Sequence, residues 1–384
     1  MKKRTLLILI VLLALLIALP LWRSRQARQA GPTATEFSAA WAARAWDDLA
    51  VVALQSGAET LRLARVDGVW GVAQRDQYPA DAERLTRAVR RLALLEGGIL
   101  VPDGTAWLEE YELDDESLAA GRAVEVRCQD AEGQALGVLR LGARRESTTA
   151  AEDPFGGRGP VAVRYLLAEN TVWLYPESFA DWQLDPADWL DKALFTIPAD
   201  AVVRLEVHGD AAAAPLVFGR AAGEPWTAAA LPPEHEIVTG ALDSLAGALA
   251  HLQFQDVVTG EGPAADLGFD GARQTTFITS AGDQYTVVVG SETGTGQDRY
   301  VRFQLALAEP GEATEAEATP VAPDAPAEQT DWPARLAGRT FVLSGWQADR
   351  FVPAQDALIK PVPPPEAEPE EQGTTAEPAG GAGE

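Results

Sequence analysis

Leu85, Ala88, Leu92 and Leu95 recur as Leu242, Leu245, Leu249 and Leu252, a constant offset of 157 residues. Self-similarity at a fixed spacing means one supersecondary unit built twice, and nothing else in the chain constrains its fold as strongly. Around these leucines the offsets form an ordered series. Trp70 maps onto Trp226 at 156, Leu113 onto Leu267 at 154, Leu141-Gly142 onto Val289-Gly290 at 148, and Arg164-Tyr165 onto Arg299-Tyr300 at 135. The offset shrinks across a Gly- and Pro-rich stretch near 153–160 that the second copy lacks. It then rises to 169, where Val172-Trp173-Leu174 meets Phe341-Val342-Leu343, and stays near that value for Ala180-Asp181 against Ala348-Asp349. The rise coincides with an Ala-, Glu-, Pro- and Thr-rich insert at 309–330 with six acids and no base, which builds no core and reads as a disordered loop. Two units follow, 48–196 and 201–352, each of a length that suits one domain.

Within the first unit, Leu61 to Val66 alternates apolar and polar residues as a half-buried strand does. Asp67-Gly68 is a two-residue hairpin turn, and Val69 to Val72 returns as the next strand. Asp81 is placed to cap a helix whose apolar face carries Leu85, Val89, Leu92 and Leu95, with Gly97-Gly98 as its stop. Further strands are expected at 123–127, 136–141, 161–167 and 171–174. The expected fold class is therefore α+β: two duplicated units of mainly antiparallel sheet with one long amphipathic helix each.

Ahead of the repeat, a basic start at 1–4 precedes an apolar stretch from Thr5 to Trp22, with Arg23, Arg25 and Arg28 directly behind it. Such a stretch is at the short end of a bilayer-crossing helix, and the arginines take the place of a signal-peptidase site. A retained transmembrane anchor over 5–22 is expected, with a spacer at 23–47 and the bulk of the chain outside the cytoplasm. The first 30 residues hold six bases and no acid, leaving 25 basic side chains against 57 acidic ones in the remainder. That balance disfavours a nucleic-acid surface, which needs clustered Lys and Arg. The tail at 361–384, Pro- and Glu-rich without a base, is expected to be disordered.

The anchor, the Trp70 strand, Tyr78-Pro79-Ala80-Asp81 ahead of a helix, the Leu113 turn, Gly142 at a strand end, Arg164-Tyr165 and Asp188-Trp189-Leu190-Asp191-Lys192 together resemble the domain-of-unknown-function family 4340. The resemblance spans about 48–352. It implies a bacterial, membrane-anchored protein associated with ABC transporters of the gliding-motility type, hence transporter subunits as partners, and it carries over no catalytic residue. The second copy lacks a Trp-Leu-Asp-Lys equivalent after Phe351.

Motifs that carry chemistry are scarce. No Gly-x-Ser-x-Gly elbow, phosphate-binding Gly-x-x-x-x-Gly-Lys loop or His-Glu-x-x-His helix occurs. Gly294-Thr295-Gly296 lacks the third glycine and the helix of a dinucleotide site. His208, His235 and His251 are widely separated and read as boundary residues. Glu109-Glu110 and Asp114-Asp115-Glu116 read as solvated caps without the spacing of a calcium loop. Cys128 reads as a small buried hydrophobe. No catalytic residue, cofactor or metal is therefore expected. Asp188, Trp189, Leu190, Asp191 and Lys192, lying between the units, are the candidate junction or partner-contact residues. The expected function is a non-enzymatic envelope scaffold or binding partner, an accessory of an ABC-type export system. The alternative is an extracytoplasmic carbohydrate-binding module or hydrolase whose groove is lined by Trp107, Trp173 and Trp182.

Overall fold

The computed structural model describes residues 34–95, 98–146, 162–175, 179–209, 214–221, 223–259, 267–294, 296–308 and 332–362. Helix α1 (Ala34–Ala42) opens this part, inside the expected spacer. Its Phe37 and Trp41 are buried, Phe37 stacks on Trp173 at 4.6 Å, and Trp41 Nε1 donates to the Leu92 carbonyl at 2.8 Å. Folded structure thus begins upstream of residue 48.

The first unit comprises β1 (Val51–Ser56), β2 (Glu59–Val66), β3 (Val69–Val72), β4 (Tyr78–Pro79), α2 (Ala82–Leu94), β5 (Ile99–Leu100), α3 (Asp115–Ala119), β6 (Val124–Gln129), β7 (Ala135–Glu146), β8 (Ala162–Ala168) and β9 (Thr171–Tyr175). Its nine strands form one antiparallel sheet in the order β4-β3-β2-β1-β6-β7-β8-β9-β5. The second unit comprises β10 (Val202–His208), β11 (Leu216–Gly219), β12 (Thr227–Ala228), β13 (His235–Ile237), α4 (Thr239–Ala246), β14 (Asp256–Val258), β15 (Arg273–Thr279), β16 (Gln284–Glu292), β17 (Asp298–Ala306), α5 (Trp332–Leu336), β18 (Thr340–Ser344), α6 (Gly345–Phe351), α7 (Gln355–Leu358) and β19 (Ile359–Pro361). Its main sheet runs β12-β11-β10-β15-β16-β17-β18-β14, and β13 pairs with β19 beside it. Strand for strand, this is the connectivity of the first sheet without β4.

The expected fold class needs correction. The chain is mostly antiparallel sheet with few helices, and only α2, with 13 residues, is long. Asp81 caps α2 by accepting from the Arg84 amide at 2.8 Å, Leu85, Ala88 and Leu92 are buried, and Leu95 closes it in the left-handed region. Its counterpart α4 stops after eight residues and tightens into a 3-10 turn at Gly247–Leu249. Val238 offers no side-chain cap, and glycines at 240 and 247 weaken the helix at both ends. Leu249 and Leu252 remain buried, but outside any α-helix. Nor is an amino-terminal transmembrane helix shown: among the described residues no helix is long and apolar enough to cross a membrane, and 5–22 lies outside them. The insert at 309–330 and the tail from 363 also lie outside the described residues, whereas Pro361 belongs to β19.

At one point the two sheets share an unusual local geometry. The ladder between β7 and β8 slips between Leu141 and Arg144, and that between β16 and β17 slips between Val289 and Glu292. At each slip a glycine lies flush under a carbonyl, Gly142 under Tyr111 and Gly290 under Leu267, while Leu113 and Phe269 flank the same spots. By position Leu113 therefore corresponds to Phe269, two residues beyond the match that sequence offsets suggest. A Cβ at Gly142 would be driven into the Tyr111 carbonyl and against Leu113. Gly142→Ala is expected to destabilise the protein by about 1–3 kcal/mol through overpacking. Gly240→Ala, where nothing lies within 4 Å, should be neutral or slightly stabilising. Urea denaturation of both variants checks this, and equal midpoints would contradict it.

Candidate functional site at the junction of the two sheets

The segment Asp188–Lys192 lies where the units meet. Asp185 accepts from the Ala187 amide at 2.9 Å and starts a 3-10 turn with Pro186 in its first position. The turn delivers Trp189 into the core, where its Nε1 donates to the Gln183 carbonyl at 2.9 Å, Trp182 packs at 5.8 Å and the Arg84 guanidinium covers the ring at 5.0 Å. Leu190 is buried and bridges to Ala80, while Asp81 N donates to Trp189 O at 2.8 Å and Asp191 N to Pro79 O at 3.0 Å. Directly after it the same segment serves the second unit: Phe254 N donates to Lys192 O, Ala193 bridges to Gln253, Leu194 N donates to Leu252 O at 2.9 Å, and Leu252 N donates to Phe195 O at 3.0 Å. Asp188 and Lys192 keep half-exposed side chains, so of the five residues these two and Asp191 reach the surface in part.

Side chains reinforce the tie. Buried Tyr78 sets its ring edge-on to Phe254 at 5.3 Å and Phe341 at 6.0 Å. Burial pushes its phenol pKa up, against the pull of Arg335. Arg335 donates to Asp191 Oδ2 at 2.9 Å and lies over Tyr78, and Arg339 covers the same ring and reaches the Asp76 carbonyl. Arg75 grips Asp256 with two bonds of 2.6 and 2.8 Å, a contact that holds the guanidinium above its ordinary pKa despite desolvation. Sequence reading missed Tyr78, Arg75, Arg335 and Asp256 as a set. Their separation, 181 residues for Arg75 to Asp256, leaves no local signal.

Other candidates fall elsewhere. Trp173 and Trp182 are enclosed and only Trp107 is exposed, so the three do not line one groove. His208, His235 and His251 sit on separate elements, and among the described residues no group of three or more His, Cys, Asp or Glu is placed to hold a metal. Asp114 caps α3 by accepting from the Ser117 amide, which lowers its pKa, and Asp115 pairs with Arg140 at 2.9 Å. Gly294 and Gly296 turn the chain between β16 and β17.

Two expectations follow. Tyr78→Ala should cost about 3–5 kcal/mol by emptying the junction, whereas Tyr78→Phe should cost less than about 1 kcal/mol because the hydroxyl meets Arg335 only at 3.4 Å. Equal losses in denaturant titrations would place the tie in the hydroxyl instead of the ring. Burial also pushes the Cys128 thiol from 9.0, and the Tyr175 and Tyr285 phenols from 10.0, to about 12. Above pH 9 the folded state then holds protons that the unfolded state has lost, so these three groups leave stability unchanged from neutral pH up to that point and lower it as pH rises toward 12. A denaturation midpoint unchanged from pH 8 to 11 would contradict this.

A family model described as a domain of unknown function (DUF4340) matches residues 70–270, a span that starts in β3, crosses the junction and ends before β15. No curated protein and no solved structure matches the chain. The match covers just over half of the 384 residues and runs through the junction segment, and the chain belongs to the DUF4340 family.

Proposed function

We propose that the chain is a non-enzymatic scaffold of the cell envelope that holds a partner protein, an accessory of an ABC-type export system. One observation carries the scaffold part of this reading: the Asp188–Leu194 segment is bonded into both units, which ties the two sheets together instead of leaving a free hinge between them. Such a body presents contact groups at a fixed spacing, which lowers the ordering cost of association. The exporter setting rests on the family resemblance.

Two indoles are candidates for those contacts. Trp107 is 55% exposed at the end of the 3-10 turn Gly104–Trp107, and Trp346 is 66% exposed in the first turn of α6. Each follows a glycine pressed against its sheet, Gly104 on Val172 and Gly345 on the Gln297 carbonyl, so the indoles are held outward on short, fixed supports. Exposed tryptophans on rigid supports are common anchors of protein interfaces.

A photo-crosslinking amino acid placed at 107 or 346 in the full-length protein, irradiated in native membranes, tests the reading. Adducts containing ABC transporter subunits are expected at both positions and absent at exposed Glu132 in the β6–β7 turn. Identical products at all three positions, or none, would overturn it. Trp107→Ala and Trp346→Ala should change stability by less than about 0.5 kcal/mol, as surface substitutions do.

A further inference from the structure

Bases and acids are unevenly spread along this chain. The first 95 residues, which close with α2, hold 14 bases against eight acids, whereas the rest of the chain holds 17 bases against 49 acids. A molecule divided in this way is drawn to an anionic surface by one end and repelled by the remainder, so its charge alone sets the direction of approach.

The folded part of the positive end centres on α2. Its Leu85, Ala88 and Leu92 are buried, while Glu83, Thr86, Arg87, Arg90, Arg91 and Leu94 face outward. Arg91 pairs with Asp181 at 2.7 Å, and Arg84 lies over Trp189. Arg87 and Arg90 make no ion pair or side-chain hydrogen bond among the described residues. They stand one turn apart on a stripe that runs on to Leu94, itself 45% exposed. Glu83, the acid of that stripe, lies at its other end in the first turn, where the helix dipole favours it. Arginines followed by an exposed leucine on one helix face match the boundary between lipid headgroups and acyl chains.

The path of the chain brings this face toward such a boundary. α1 packs against the last turns of α2, where Ser38 Oγ donates to Leu95 O at 2.7 Å and Trp41 Nε1 to Leu92 O. Ala34 lies four residues ahead of Ser38, about 6 Å along the helix, so the preceding chain departs from beside the end of α2 that carries Arg90 and Leu94. From Ala34 back to Trp22, where the apolar stretch 5–22 ends, the chain reaches at most about 40 Å when fully extended. An apolar stretch followed by Arg23, Arg25 and Arg28 has the chemistry of a segment held at an anionic lipid surface.

We propose that the outer face of α2 rests on anionic lipid headgroups, with Arg87 and Arg90 on lipid phosphates and Leu94 at the acyl boundary. The guanidinium fork fits phosphate oxygens in pairs, and the acid-rich remainder of the chain is held away from the same surface, which gives the two sheets one orientation above the bilayer. This inference shares the envelope setting of the scaffold reading but needs no transporter. Loss of the crosslinks at Trp107 and Trp346 would leave it standing, and its own failure would leave those crosslinks intact.

The test reconstitutes the full-length protein in nanodiscs of phosphatidylcholine, alone or with about 30% phosphatidylglycerol, and places a fluorescent label at Thr86→Cys. Native Cys128 is buried and does not compete for the label, and Glu132→Cys in the exposed β6–β7 turn serves as the reference position. Quenching by spin-labelled lipid is expected to be at least about threefold stronger at 86 with phosphatidylglycerol than without it, and unchanged at 132. High salt should remove the difference. Arg87→Glu combined with Arg90→Glu should reduce quenching at 86 to the phosphatidylcholine level, and Arg87→Gln with Arg90→Gln should lower it in the same direction, with the melting temperature nearly unchanged because both side chains are exposed. Equal quenching at 86 in the two lipids, none in either, a response at 132 as large as at 86, or an undiminished response in both double variants would overturn the proposal.

Discussion

The structure depends on a short length of backbone that has to satisfy two sheets at once. Buried amides and carbonyls must find partners: from Trp189 to Asp191 they find them in the first unit, at Pro79, Ala80 and Asp81, and from Lys192 to Phe195 in the second, at Leu252, Gln253 and Phe254. A slip of one residue in this strand would turn Trp189 out of the first core and strand hydrogen-bonding groups on both sides. Because Leu194 and Phe195 also enter the core that Trp189 and Leu190 fill, a single contiguous apolar cluster runs from Phe37 in α1 to Ile359 in β19. The repeat therefore gives two sheets of like connectivity but not two independent cores.

The charged residues that guard this junction follow the same economy. Of the 31 basic residues in the chain only four are lysine. Arg335 serves Asp191 and Tyr78 together, Arg75 grips both oxygens of Asp256, and Arg84 covers Trp189. Each contact uses the flat, multiply donating guanidinium in a way that an ammonium does not reproduce. In a strongly acidic protein, bases spent inside the fold leave the remaining surface more negative, so an arginine left on the surface without a partner stands out.

What the sequence reveals is what short-range chemistry decides. Asp67-Gly68 adopts positive φ at both residues and pairs Val66 with Val69, as a two-residue turn between alternating strands requires. The Asp81 cap and the leucine stripe of α2 were legible for the same reason. The matching stripe in α4 misled because apolar spacing does not register the two glycines and the missing cap, and the buried leucines beyond Gly247 serve a strand-like junction instead. Leu113 pairs by role with Phe269, since the carbonyl that covers each glycine, not the leucine itself, fixes the correspondence. The exchange of Glu292, which faces Arg299 in the second sheet, for Arg144 in the first was present in the offsets all along, but it acquires meaning only when the ladder places Arg164 opposite.

That exchange shows what a joined pair of sheets tolerates. An arginine facing an arginine across a ladder is destabilising, and the burial of Arg164 adds desolvation. A lone nine-stranded sheet would bear that cost on its own core. Here one apolar cluster runs through both units, so the cost falls on a shared core. The local strain stays at one slip in one sheet because Gly142 lets the Tyr111 carbonyl close over the strand and fixes where Arg164 points.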